Sequence, residues 1–276
     1  MSASPTLAQH VTPQLRAWLR AQAGLGHSVQ TMLKAMRTAG WQAAVARELI
    51  ASTLQTPAVG ALPRLDQDGA LQLDAGDRQV DVLLQMRRPD LAVLGNLLSG
   101  AECIALIEAA RPSLARSLTV AVKTGGEVLS HDRTSSGMFF TRGENALVKR
   151  IEARIARLLN WPVENGEGLQ VLRYLPGAEY KPHHDYFDPA EPGTPSILQR
   201  GGQRVATLVM YLHAPEQGGA TVFPDLGLEV LPQRGHAVFF SYDQPNASTR
   251  SLHGGAPVLA GEKWVATKWL RQREFT

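Results

Sequence analysis

The residues with the clearest capacity for chemistry are Tyr180-Lys181-Pro182-His183-His184-Asp185-Tyr186 and, downstream, Leu252-His253-Gly254-Gly255. Two imidazoles and one carboxylate can occupy one face of an octahedral Fe(II) and leave the other positions open. That set, open to a co-substrate and to O2, is the ligand set of non-haem iron oxygenases. Residues two apart in a strand share a face, so His183 and Asp185 point one way and His184 the other. The strand fixes both ligands at little entropic cost. His253 must then come from a strand close in space, 70 positions later (253 minus 183). A His-x-Asp pair alone is weak, because a strand histidine is more often a core or surface residue. The segment Gly261-Glu262-Lys263-Trp264 adds a cation ten positions after the last histidine (263 minus 253).

These residues need a scaffold, and the periodicity supplies one. From about 167 the apolar period is two, with candidate strands at 168–174, 178–185, 204–212, 220–223, 228–231, 236–241, 249–253 and 264–270. Short strands with turn signals between them indicate a mainly β, sandwich or barrel-like core. Helices precede it: residues 12–55 carry Leu15, Trp18, Leu19, Met32, Leu33 and Met36 at helical spacing. Gly24-Leu25-Gly26 and Gly40 punctuate them as helix turns, since no strand precedes the glycine pair as a nucleotide loop would require. A helix over 101–111, capped near Ser99 or Gly100, would bury Ile104, Leu106 and Ile107. Another over 143–159 carries Leu147, Ile151, Ile155 and Leu158. The resulting division is a helical N-terminal extension (1–60), a linker or irregular segment with a strand (61–87), and a catalytic domain (88–276, core 167–272).

Composition narrows the class. The formal charge is +3 over 276 residues, and Lys and Arg form no block of five or more, so a nucleic-acid footprint is not expected. No apolar run approaches the ~18 residues of a membrane span. The stretch 1–9 lacks a charged region followed by an apolar core, so no secretory signal is expected. Cys103 is the one cysteine, set in an apolar helical pattern as a small buried hydrophobe. A cytoplasmic, reducing location is the expectation, and no motif sets an oligomeric state.

The ordered pieces of the second half resemble the prolyl 4-hydroxylase branch of the Fe(II)/2-oxoglutarate-dependent dioxygenases. They are Tyr174-Leu175-Pro176-Gly177, His183-x-Asp185-Tyr186-Phe187, Gly201 to Thr207, Tyr211-Leu212, Gly218 to Pro224, Gly235 to Phe240, and His253 to Trp269. The resemblance covers roughly 88–276 and is densest over 168–270. It implies a double-stranded β-helix (jelly-roll) core with the helical extension in front. It implies His183, Asp185 and His253 as ligands of Fe(2+), and Lys263, with hydroxyls from Tyr174 and Thr221, as partners of the far carboxylate of 2-oxoglutarate. A dicarboxylate entering a low-dielectric barrel needs a cation and hydrogen bonds at its buried end. Lys268 reads as a surface lysine.

Tyr180, Arg204 and Trp269 resemble positions lining the family's peptide groove, although Tyr and Trp at strand spacing are commonly core and Arg204 could serve a structural ion pair. His184, His213 and His236 read as structural or surface residues. Arg133-Thr134-Ser135 resembles a recurrent family segment without a chemical role of its own, next to a polar His131. The implied reaction consumes 2-oxoglutarate and O2, releases succinate and CO2 and hydroxylates an unactivated C–H. Ascorbate is the expected reductant, and no catalytic side chain is required beyond the metal centre. A prolyl residue in a peptide or protein is the first substrate expectation, and a free amino acid or small metabolite the second. A non-catalytic metal-binding sensor, or a zinc hydrolase on the same scaffold, would have no use for Lys263. The irregular stretch 187–203 reads as a segment able to order over substrate. Equal proteolysis there with and without iron, co-substrate analogue and substrate would refute that.

Overall fold

The computed structural model describes residues 12, 15, 18, 19, 21, 22, 27, 29–54, 62–65, 69–120, 127–129 and 133–276. The expected turn at Gly24-Leu25-Gly26 and the polar His131 lie outside them. The chain divides into two compact units, Met1–Ala61 and Leu62–Thr276. In the first, α1 (Val29–Thr38) and α2 (Ala43–Leu54) enclose Leu19, Met32, Met36, Ala46, Leu49 and Ile50. Gly40 ends α1 at φ +89°. Its N–H donates to the Arg37 carbonyl, and that of Trp41 to the Met36 carbonyl. This pairing closes a helix end around one left-handed residue, a position that favours glycine.

The second unit opens with β1 (Gln72–Asp74), β2 (Gln79–Arg87) and β3 (Asp90–Gly95), then α3 (Gly100–Ala110). Next come β4 (Ala115–Arg116), β5 (Leu118–Val120), β6 (Glu127–Leu129), β7 (Ser136–Phe140) and α4 (Ala146–Leu158). The site-bearing half contains β8 (Leu169–Tyr174), β9 (Tyr180–His183), α5 (Thr194–Gln199), β10 (Arg204–His213), β11 (Gln217–Gly218) and β12 (Thr221–Phe223). It ends with β13 (Leu228–Val230), β14 (Ala237–Ser241), β15 (His253–Gly255), β16 (Val258–Ala260) and β17 (Lys263–Arg271).

A nine-stranded sheet runs β1-β2-β3-β14-β10-β17-β8-β7-β4, and a four-stranded sheet runs β13-β12-β15-β9. All their pairings are antiparallel. Leu172, Tyr211, Phe223, Val230, Phe240 and Val265 are buried together between the two sheets, the layer expected of a jelly roll. The other face of the large sheet packs on the helices: Ala206, Leu208 and Met210 of β10 meet Cys103 and Leu106 of α3, and Ile151 and Ile155 of α4 join the same core. Ser99 and Glu102 form a reciprocal capping box at the start of α3, as the sequence indicates. The buried face of α3 is Cys103, Leu106 and Ala110, whereas Ile104 is exposed, because the helix is rotated toward the sheet by the burial of Cys103.

Three further expectations change. The segment 61–87 holds the expected strand as β2, paired to β3 over Asp81–Arg87, and adds a second strand, β1, at the edge of the large sheet. Lys268 is not on the surface. Both faces of β17 are covered, so every residue of the strand is buried. Parity sends Trp264, Ala266, Lys268 and Leu270 toward the helices, where Lys268 Nζ donates to Glu152 Oε1 of α4 at 2.5 Å and to the Glu167 carbonyl. Residues 187–203 contain α5 and are pinned at their ends, since the Gln203 amide exchanges two hydrogen bonds with the Phe187 backbone, at 2.7 and 2.8 Å.

Candidate metal and co-substrate site

His183 ends β9 and His253 begins β15, and the two are direct cross-strand partners. That register brings their rings to a centroid separation of 4.5 Å. Glycine follows His253 for a steric reason: a Cβ at Gly254 would lie 2.8 Å from the Tyr180 carbonyl oxygen. β9 stops before Asp185, shorter than the expected strand. Asp185 sits in the bend beyond it and still turns its carboxylate to the same side. Asp185 Oδ1 is 3.6 Å from His183 Nε2, and Oδ2 is 3.4 Å from His253 Nε2. One donor atom from each of the three lies within 4.8 Å of the others. His184 faces elsewhere and stacks on Tyr186 at 4.6 Å. His213 accepts from Arg234 Nη2 at 2.9 Å, away from this group.

The surroundings prepare these three side chains as ligands. His183 Nδ1 donates to the Lys181 carbonyl at 2.9 Å and His253 Nδ1 to the Ser251 carbonyl at 3.0 Å. A carbonyl only accepts, so each ring is held in the tautomer that aims the Nε2 lone pair at the centre. Burial pushes the His253 imidazole down to about 4, which keeps it neutral at ordinary pH. Burial alone would raise the Asp185 carboxyl, but His253, His183 and Arg204 outweigh it and hold it well below its usual range. Thr207 Oγ1 donates to Asp185 Oδ2 at 2.7 Å, and the Tyr242 hydroxyl in turn donates to Thr207 at 2.9 Å. Two imidazole nitrogens and a carboxylate with a buried supporting relay suit a divalent first-row metal such as Fe(II).

At the other end of the same cavity lies Lys263, first residue of β17 and register partner of Tyr174. Its side chain is buried, with Nζ 5.5 Å from the Tyr174 ring centroid and 5.9 Å from that of Tyr211. Burial pushes its ammonium down to about 8, with no carboxylate among the described residues opposing the shift. A buried cation without an anion is costly, and a ligand carboxylate would relieve it. Thr221 lines the cavity and accepts from the Tyr211 hydroxyl at 2.8 Å, which leaves its own proton to donate. The site therefore offers a metal face, a gap and a buried cation, the dimensions of recognition a 2-oxo dicarboxylate requires.

Residues 169–271 match the model of the 2OG-Fe(II) oxygenase superfamily, a span that holds His183, Asp185, His253, Lys263, Tyr174 and Thr221. The chain is 48% identical over 202 residues to prolyl 4-hydroxylase 1 of Arabidopsis thaliana, covering 67% of this chain and 70% of the relative. It is 42% identical to probable prolyl 4-hydroxylase 8 of the same plant, covering 72% and 74%. The chain belongs to the prolyl 4-hydroxylase branch of the 2-oxoglutarate oxygenases. Among solved structures it is similar to the viral collagen prolyl hydroxylase of Paramecium bursaria Chlorella virus-1 in its 2OG complex. There the TM-score is 0.51 at 33% identity, with 66% of this chain and 95% of that chain covered.

In this family member, Tyr180 stacks on His183 at 3.7 Å, and burial raises its phenol to about 12. Trp269 lines the metal-facing cavity. Arg204 is part-buried, stacks on Trp269 at 4.1 Å and is held by Glu167 through bonds of 2.6 and 2.9 Å. Five residues reach the site without having been singled out for it by sequence: Arg133, Glu167, Thr207, Tyr211 and Tyr242. Arg133 stacks over Tyr180 at 4.9 Å and donates to Gln170 at 2.8 Å, which gives the Arg133-Thr134-Ser135 segment a place at the cavity wall. Thr207 and Tyr211 were open to discovery, since they share the inward face of β10 with Val209. Glu167 and Tyr242 lie beyond the strand ends, where parity gives no signal.

Proposed function

We propose that this dioxygenase hydroxylates a prolyl residue within a peptide or protein. The reading is carried by the buried Lys263, which has no carboxylate partner among the described residues, set across one cavity from the His183, Asp185 and His253 face. In it these three side chains hold Fe(II), and Lys263, Tyr174 and Thr221 hold the far carboxylate of 2-oxoglutarate. When bound, the metal supplies O2 activation coupled to oxidative decarboxylation of the co-substrate, so that O2, 2-oxoglutarate and a C–H bond become succinate, CO2 and a C–OH group.

The protein's own residues orient and seclude. The Tyr242–Thr207 relay fixes the Asp185 carboxylate, and the backbone carbonyls of Lys181 and Ser251 fix the two imidazoles. Leu172, Val209 and Val265 line the cavity between the metal face and Lys263 and limit water there. Tyr180, Arg133 and Trp269 form the wall a substrate would meet, with rings that suit the flat, apolar face of a prolyl ring. The names of the similar plant and viral proteins favour the same substrate class. Ascorbate is proposed as the reductant that keeps the metal ferrous.

The test is a panel of single-proline peptides, free proline and other amino acids, with Fe(II), ascorbate and 2-oxoglutarate. The expected result is succinate release matched by a peptide mass gain of one oxygen atom. Turnover confined to free amino acids would reject the peptide reading.

A further inference from the structure

Beyond β17 the backbone stays fastened to the segment that follows Asp185. The Gln272 N–H donates to the Gln203 carbonyl, and the Gln203 N–H to Gln272 Oε1, both at 3.0 Å. The Arg273 N–H donates to the Gly201 carbonyl at 2.9 Å, and Arg273 Nη2 to that of Leu198 at 3.2 Å. From the other side, the Phe275 N–H donates to the Glu164 carbonyl at 2.9 Å, and Arg142 Nη1 to the Phe275 carbonyl at 2.6 Å. Residues 272–276 thus strap the segment 187–203 to the approach to β8. Gly201 and Gly202 form the seat of the strap. Both hold positive φ, +108° and +76°, and a Cβ on Gly201 would lie 3.2 Å from the Glu274 carbonyl oxygen and the Phe275 Cα. One on Gly202 would lie 2.8 Å from Gln272 Oε1. Two adjacent residues without side chains let the strap lie this close.

One side chain anchors the strap. Phe275 is part-buried, whereas Gln272, Arg273, Glu274 and Thr276 are exposed. Its ring centroid lies 4.6 Å from the Arg200 guanidinium and 5.1 Å from that of Arg271. Arg200 is also satisfied from the strap, with Nε donating to a Thr276 main-chain oxygen at 2.9 Å. Arg271 continues the row to the Phe187 ring at 4.9 Å, and Arg204 lies 4.9 Å from Phe187 and 4.1 Å from Trp269. Trp269 lines the metal-facing cavity. Glu167 Oε1 ties the two inner cations together, accepting from Arg204 and Arg271 at 2.6 Å each. A second route runs through hydrogen bonds: Gln272 fixes the Gln203 backbone, and the Gln203 amide fixes the backbone of Phe187, two positions after Asp185. Close-packed rings and guanidinium groups pass a displacement on instead of absorbing it. Removing the Phe275 ring therefore loosens Arg271 and Phe187 and, through them, the Arg204–Trp269 wall.

We propose that Phe275 is a positioning residue for the peptide substrate: it sets the Arg271–Phe187–Arg204 stack that holds Trp269 at the metal-facing cavity. The inference rests on the peptide reading above. Phe275 stands outside that cavity and acts only through the stack. The supports of the metal face lie elsewhere, in the Tyr242–Thr207 relay and the carbonyls of Lys181 and Ser251. Arg204 meets Asp185 only at 3.5 and 3.9 Å, a contact too long to carry the carboxylate. Loosening the stack therefore acts on the substrate wall and leaves metal and co-substrate binding in place.

The experiment uses the full chain with iron, 2-oxoglutarate and a single-proline peptide, and compares Phe275→Ala with Phe275→Tyr. Phe275→Ala raises the peptide KM about three- to ten-fold, the scale of one or two exposed cation–π contacts. Its affinity for 2-oxoglutarate, read by anaerobic calorimetry, stays within about two-fold of the native chain. Amide hydrogen exchange over 187–203 quickens in the ligand-free variant. Phe275→Tyr keeps the ring and restores both the KM and the exchange rates. A native peptide KM in Phe275→Ala overturns the proposal and leaves the peptide reading standing. An equal KM rise in Phe275→Tyr, or a matching loss of 2-oxoglutarate affinity in Phe275→Ala, overturns the assignment of the ring to the substrate wall. Turnover of free proline and of no peptide by the native chain refutes the peptide reading, and the positioning role falls with it.

Discussion

Thr207→Val removes one hydroxyl and keeps the branched shape. Thr207 is fully buried on β10, so the change opens little space. It deletes the 2.7 Å bond to Asp185 Oδ2 and the acceptor of the Tyr242 hydroxyl. A hydrogen bond to a charged group contributes about 1.5–3 kcal/mol. Expressed in metal binding, at about 1.4 kcal/mol per decade, that is roughly 10- to 100-fold weaker affinity, the usual effect of losing a residue that orients a metal ligand. The stranded Tyr242 hydroxyl costs the fold a further ~1–3 kcal/mol, seen as a lower melting temperature. The assay is anaerobic calorimetric titration with Fe(II), repeated with Mn(II), alongside thermal melts of the metal-free protein. Thr207→Ser restores the hydroxyl and is expected to bind metal within a few-fold of the native chain. Native metal affinity in Thr207→Val would refute the claim that the relay positions Asp185.

Lys263 gives a pH signature. Its ammonium ionises near 8 in the fold against a usual 10.5. Affinity for 2-oxoglutarate is therefore level below pH 8 and declines as pH rises through it, and Lys263→Met weakens binding about 10- to 100-fold by isothermal titration. Because the folded value lies below the unfolded one, the ligand-free protein gains stability between pH 8 and 10.5, where only the unfolded chain still binds that proton. At neutral pH Lys263→Met then raises the melting temperature of the ligand-free protein, relieving about 3 kcal/mol of burial cost. Lys268→Met strands the Glu152 carboxylate in the helix–sheet layer and costs about 3–5 kcal/mol in denaturant unfolding. Pairing it with Glu152→Leu recovers much of that loss, and an equal or larger loss in the double variant would contradict the pairing.

The sequence carried the site more legibly than its supports. His183, Asp185 and His253 lie close together because β9 and β15 are register partners, and residue type with strand spacing anticipates that arrangement. Lys268 was misread because the alternation of a half-exposed strand is absent in β17. The same parity that turns Lys263 inward puts Lys268 in the row of Trp264, Ala266 and Leu270. The strand expected within 61–87 is β2, whereas β1 was hidden, because its three residues are too short to show an alternation. The Glu167–Arg204–Arg271 group was beyond reach for another reason. It joins the approach to β8 with the start of β10 and the end of β17, a meeting made by the sheet and not by any local pattern.

The central claim is that O2 is split between co-substrate and substrate at the His183, Asp185 and His253 centre. The direct measurement is turnover of a single-proline peptide under isotopically labelled dioxygen, with both products read by mass spectrometry. The account predicts one labelled oxygen in succinate and the other in the peptide hydroxyl, both absent in His183→Ala. Label missing from succinate, or full turnover by His183→Ala, would contradict it.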